Sequence, residues 1–107
     1  RGMLERTMIV ITSEFGRTSK VKGNGGRDHH PNGFSCALAG GGIKGGKAIG
    51  ATNEKGREPD PKFEPKDLHA TIATAMGMNV EKRFHPKGGG RPSFVGGRGK
   101  PIMDLLA

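Results

Sequence analysis

Apolar residues in this chain occur in short runs separated by glycine. Met8-Ile9-Val10-Ile11 is the first unbroken run, and it predicts a strand over residues 7–12. A continuous apolar run of this length suits a strand covered on both faces, as in a parallel sheet. Polarity returns at Thr12-Ser13-Glu14. Glu14 is therefore expected at the carboxyl end of the strand, where open α/β sheets bind their ligands. Residues 13–32 read as a long glycine-containing loop. A loop of that length inside a small domain is usually functional or disordered, and Asp28-His29-His30 favours function.

Phe34-Ser35-Cys36-Ala37-Leu38-Ala39 predicts a second strand, stopped by Gly40-Gly41-Gly42. A short edge strand is expected over 47–52, and the charged, proline-rich stretch 54–65 reads as a surface loop. The clearest helix spans 65–76. Pro65 suits the first helical position, where its missing N–H costs nothing, and Asp67 favours the positive end of the helix dipole. Leu68, Ile72, Ala75 and Met76 fall on one stripe at helical spacing. Gly77 is a natural stop, with Met78 and Val80 expected to tuck beneath the helix end. The remainder reads as loop, closing with a helical turn at 102–106.

Composition limits what such elements can build. The chain has 107 residues, one small domain at most, with 32% hydrophobic residues, no Trp or Tyr, and 20 glycines. Ordering each glycine costs more backbone entropy than ordering any other residue, so the expected core is small and stable folding in isolation is not expected. Cys36 is the single cysteine, which excludes an internal disulfide, and its apolar neighbours suggest a core position. No run approaches the roughly 18 apolar residues of a membrane helix. Arg1-Gly2-Met3-Leu4-Glu5-Arg6 reads as a helix remnant entering the first strand, as if cut from something longer. The net charge is +8. Its lysines and arginines read as scattered over loops, without a basic helix or interleaved aromatics, so solvated surface charge explains them before nucleic acid does.

Two glycine patterns fail as nucleotide sites. Residues 41–48 fit a phosphate loop except that Ala48 stands where Ser or Thr must bind magnesium, and Gly40, Gly42 and Gly45 fit a dinucleotide fingerprint. Neither is followed by a helix whose N-terminus would face a phosphate. Ser13, Ser35 and Ser93 lack nucleophile-elbow spacing, and Cys36 lacks a local histidine partner. Glu14 is open to three roles: metal ligand, general base, or ion-pair partner of Arg17. Asp28-His29-His30 offers carboxylate and imidazole donors of the type that zinc, manganese or iron accept. Adjacent side chains in extended backbone point oppositely, so His29 and His30 do not share one ion. Arg17 and Arg27 flank the cluster, and they suit either a bidentate grip on an anion or simple offset of the neighbouring carboxylates. His69, beside the helix stripe, reads as structural, and His85 carries no assignment.

Five stretches together resemble the C-terminal part of the family called domain of unknown function 1501: Thr12-Ser13-Glu14-Phe15-Gly16-Arg17-Thr18, Gly26-Arg27-Asp28-His29-His30-Pro31-Asn32, Leu38 to Gly46, Gly50-Ala51-Thr52, and Asp67 to Ile72. That family looks like a branch of the alkaline phosphatase and sulfatase superfamily. The resemblance implies an α/β chain, the C-terminal part of a three-layer α/β/α domain with an incomplete sheet. It also implies a missing N-terminal part that completes the domain and carries the nucleophile, and a periplasmic or otherwise exported protein. The implied activity is metal-dependent hydrolysis of phosphate or sulfate esters, with this piece inactive alone. Glu14, Asp28 and His29 would ligate a divalent ion (zinc, manganese or calcium), and Arg17 or Arg27 would hold the anion. The superfamily motif at this strand end is Thr-(Ser/Ala)-Asp-His-Gly. Here Glu14 replaces the aspartate and Phe15 replaces the histidine, so one ligand is lost. That loss supports an alternative, a non-catalytic member that binds an anion or carbohydrate. A basic nucleic-acid-binding module is the remaining alternative.

Overall fold

The computed structural model describes all 107 residues. A one-turn 3-10 helix, Leu4–Arg6, leads into β1 (Met8–Ile11), followed by β2 (Gly16–Arg17), β3 (His29–His30), β4 (Ala37–Gly40), β5 (Ala51–Thr52) and β6 (Pro59–Asp60). Helix α1 (Pro65–Ala75) precedes β7 (Arg83–Phe84) and β8 (Ser93–Phe94), then 3-10 turns at Val95–Arg98 and Met103–Leu105. The strands form four two-stranded sheets, β1–β4, β2–β3, β5–β6 and β7–β8, the last three antiparallel. One helix with short strands is an α/β mixture. The strand expected to be covered on both faces is not: Ile9 is 47% exposed and Ile11 67% exposed, because β1 alternates half-buried and exposed positions. The second strand begins at Ala37 rather than Phe34, and Cys36 is exposed rather than buried in a core.

The chain divides into two compact units. The first comprises residues 1–8, 39–47 and 63–107, and α1 is its centre. A reciprocal capping box fixes the start of α1: Glu64 N donates to Asp67 Oδ2 at 2.9 Å, and the Glu64 side chain accepts from the Asp67 backbone. Pro65 occupies the first turn as expected, and Gly77 follows the helix at φ +80°.

The buried face of α1 differs from the anticipated stripe. Ala70, Thr71 and Ala73 are its buried residues, while Met76 is 63% and Met78 47% exposed. The cause is the close approach of the 95–102 segment. A β-carbon on Gly99 would lie 1.9 Å from the Lys66 carbonyl oxygen, and one on Gly96 would lie 2.8 Å from Ala70 Cα. Backbone packs on backbone there, so the small side chains are fully buried, while Leu68, Ile72 and Ala75 of the expected stripe are half-buried. Polar ties hold the contact. Lys100 N donates to Asp67 Oδ1 at 2.8 Å, and Ile102 N donates to Thr71 Oγ1 at 2.9 Å. The Thr71 hydroxyl donates in turn to the Asp67 carbonyl at 2.6 Å. The chain end closes this unit through Lys44 N to Leu105 O at 2.8 Å and Ala107 N to Gly42 O at 3.1 Å.

Asp67 therefore serves both the helix cap and the 95–102 segment. The amide hydrogen bonds from Glu64 and Lys100 hold its carboxyl below the usual carboxylate range. A depressed folded pKa contributes stability above the unfolded value of about 3.9, and that contribution is lost as pH falls through the folded value. Asp67→Asn is expected to cost about 1–2 kcal/mol at neutral pH, as a charged acceptor of two amide bonds is lost. Urea melts of both proteins at pH 7 and below pH 4 check this: the difference should shrink in acid.

The second unit comprises residues 9–38 and 48–62. The stretch expected to be a structureless loop is a hairpin, with Gly16 opposite His30 and Arg17 opposite His29. Beyond the strands, Thr18 N donates to Asp28 O at 3.0 Å and Asp28 N to Thr18 Oγ1 at 3.1 Å. Lys22 N donates to Gly26 O at 2.7 Å, and the Asn24 side chain accepts from Gly26 N at 3.1 Å, closing the tip.

Candidate functional site

The hairpin assembles the residues singled out from the sequence, in a different grouping. Its base is possible only because residue 16 is glycine: a β-carbon there would lie 2.1 Å from the Gly33 carbonyl oxygen. Directly opposed residues of an antiparallel pair share a face, so Arg17 and His29 project together. Phe15, two residues before Arg17, joins them. Its ring stacks on the His29 imidazole with centroids 3.7 Å apart and planes 16° from parallel. The Arg17 guanidinium carbon lies 5.2 Å from the Phe15 centroid, within cation–π range. A histidine, a phenyl ring and a guanidinium thus form one continuous cluster.

The remaining residues are committed elsewhere. Asp28 forms an ion pair with Lys22 at 2.5 Å. The Arg27 guanidinium donates to the Thr18 and Ser19 carbonyls at 2.8 and 2.7 Å, tying the two arms of the hairpin together. Arg17 Nη1 donates to the Arg27 carbonyl at 3.1 Å. His30 Nε2 lies 2.8 Å from the Arg57 carbonyl, so this half-buried imidazole anchors the β5–β6 side of the unit. The anticipated Glu14–Arg17 ion pair is not formed, since the chain's ion pairs are Lys22–Asp28 and Lys66–Glu64. Glu14 is exposed immediately before the Phe15 ring.

The three expected metal donors are not gathered at one point in this arrangement. His29 and Asp28 are neighbours in extended backbone and point to opposite faces. Asp28 is neutralised by Lys22, the His29 ring lies flat on a phenyl ring, and no three His, Cys, Asp or Glu side chains converge. The contact that sequence reasoning missed is Phe15 with His29. Its signal was the hairpin register: Asn24-Gly25-Gly26 marks a turn, and counting outward from it places position 15 on the face of 17 and 29.

Residues 1–106 match the family model described as protein of unknown function (DUF1501). The chain belongs to that family. No curated protein and no solved structure matches it. No helix of this DUF1501 chain is long and apolar enough to cross a membrane.

Proposed function

We propose that the hairpin of this DUF1501 chain is an anion-binding site for phosphate or sulfate esters, within a hydrolase-like domain of the alkaline phosphatase and sulfatase kind. Arg17 and His29 contact the anionic group, and Phe15 supports both. The observation that carries the reading is their placement on one face over a common phenyl ring. A guanidinium has five N–H donors, and Arg17 gives one nitrogen to the Arg27 carbonyl, which leaves donors for a bidentate grip on an oxyanion. Imidazole adds a ring N–H, and the ring pair adds an apolar wall that excludes water from one side. In this reading Arg27 shapes the hairpin rather than gripping the anion.

The three-layer fold, the export, and the contribution of a nucleophile from the rest of such a domain follow the motif resemblance and belong to the same proposal. No step passes through a divalent ion, because its expected donors are not gathered. One observation favours binding without turnover: Phe15 fills the motif position of a ligand and is engaged in packing His29.

Calorimetric titration of inorganic phosphate and sulfate into the chain tests the reading. Arg17→Gln is expected to weaken binding about tenfold, the equivalent of one charge-assisted hydrogen bond. Lys55→Gln, which removes the same charge elsewhere, should leave it unchanged. Equal affinity for the native and Arg17→Gln chains would overturn the assignment. Turnover of an aryl phosphate by a protein that includes the expected N-terminal part, lost in His29→Ala, would decide for catalysis over binding alone.

A further inference from the structure

The positive charge of this chain is not as scattered as its lysines and arginines first read. Between Glu81 and Asp104 there is no acidic residue, while Lys82, Arg83, Lys87, Arg91, Arg98 and Lys100 place six cations there, against a net charge of +8 for the whole chain. Two phenylalanines interleave with them. β7 and β8 pair with Arg83 opposite Phe94 and Phe84 opposite Ser93. The guanidinium carbons of Arg83 and Arg98 lie 5.7 and 4.7 Å from the Phe94 centroid, and Lys82 Nζ lies 5.4 Å from the Phe84 centroid.

Like charges gathered around one ring repel unless an anion joins them. No carboxylate pairs with Arg83, Arg98 or Lys82, since the chain's two ion pairs lie elsewhere. Arg98 also holds φ +63°, a left-handed conformation uncommon outside glycine and typical of residues under functional constraint. A cleft of about 290 Å³ adjoins it, lined by Val80, Glu81, Phe94, Arg98, Gly99, Lys100 and Pro101. Phe84 keeps 44% of its surface exposed, enough ring face for stacking. Arg98 is presented from a rigid support, since Gly96 and Gly99 on either side pack closely on the backbone of α1.

We infer that the β7–β8 hairpin with Arg98 and Lys100 binds single-stranded nucleic acid. Arg83 and Arg98, braced on Phe94, contact successive phosphates, and Phe84 stacks on a base. This surface shares no residue with the β2–β3 hairpin and does not depend on the ester reading. A bound strand is recognised by charge and ring faces, so it is bound without sequence preference.

Fluorescence anisotropy with a labelled oligothymidylate and an oligouridylate of about twelve nucleotides tests this across a salt series. Binding is expected for both, with affinity falling steeply as salt rises. The double variant Arg83→Gln/Arg98→Gln should flatten the log–log salt slope by about 1.4, at roughly 0.7 per phosphate contact. Phe84→Ala should weaken binding about tenfold with the slope unchanged. Lys20→Gln/Lys55→Gln, which removes equal charge from the other unit, should keep the native slope. Far-UV circular dichroism of each variant establishes that the fold is retained. Equal flattening by both double variants overturns the inference, as does native binding by Phe84→Ala, or equally tight binding of sulfated dextran of matched charge.

Discussion

Gly99→Ala is expected to detach the 95–102 segment from α1 and to unfold the first unit. A β-carbon at residue 99 would lie 1.9 Å from the Lys66 carbonyl oxygen, 2.2 Å from its carbonyl carbon and 2.7 Å from Asp67 N. All three are backbone atoms of the capped first turn, so no side chain can rotate away. Relief requires the segment to move, and movement breaks the bonds from Lys100 N to Asp67 and from Ile102 N to Thr71. Overpacking alone costs about 1–3 kcal/mol, and two amide bonds to buried or charged acceptors add a similar amount. The buried core of the chain is Ala70, Thr71 and Ala73, which leaves little reserve against a loss of that size. Loss of the cooperative urea transition, with loss of helical circular dichroism, is the expected readout. Gly97→Ala is the control: nothing lies within 4 Å of a β-carbon there, so its cost is limited to the strain of a left-handed φ of +59°.

Thr71→Val carries the second largest expected effect. Thr71 is fully buried, and its hydroxyl links the Ile102 amide to the Asp67 carbonyl. Valine keeps the volume and removes both bonds. The Ile102 N–H then faces a methyl group in a water-excluded position, at the full desolvation penalty of an unpaired amide, about 2–3 kcal/mol. Thr71→Ser retains the hydroxyl and should recover most of that loss, with a smaller cost for the missing methyl. A urea midpoint ordered native, then serine, then valine supports the account; valine equal to native would contradict it. Exchange of the Ile102 amide should quicken in valine alone.

Both predictions rest on a feature the sequence held only in part. The helix was legible because Pro65, Asp67 and Gly77 act locally, through capping and backbone geometry, and need no tertiary partner. Its buried face was legible only in part, since Leu68, Ile72 and Ala75 are half-buried while Ala70, Thr71 and Ala73 are fully covered. Hydrophobic periodicity pointed to Leu68, Ile72, Ala75 and Met76, whereas glycines about thirty residues later determine which side is covered. Those glycines permit backbone approach, and backbone approach selects alanine and threonine. The same holds for β1. Its apolar run implied two covered faces, yet only the face of Met8 and Val10 is half-buried, and Ile9 and Ile11 on the other stay exposed.

The exposure of Ile9 and Ile11 fits the composition. With 20 glycines and 32% hydrophobic residues, too little apolar side chain is available to close a larger core.

The candidate site was legible as a list of residues and not as a geometry. Asp28-His29-His30 drew attention through residue type, and residue type suggested a metal. The hairpin separates them by alternation: Asp28 to Lys22, His29 to Phe15, His30 to the Arg57 carbonyl. Phe15, read from the motif as a lost ligand, is the residue that positions His29 beside Arg17. Resemblance located the stretch, and the register of two short strands determined which of its side chains lie together.

Phe15, Arg17 and His29 are proposed to act as one anion-contacting surface. The most direct measurement is a nuclear magnetic resonance titration of the chain with phenyl phosphate and phenyl sulfate, following assigned side-chain signals. The Arg17 guanidinium and His29 imidazole signals should shift together along one binding curve, with the Phe15 ring, while Arg27 and His30 stay fixed. Shifts spread evenly over the chain's lysines and arginines, or a titration that leaves Arg17 and His29 unmoved, would contradict the account.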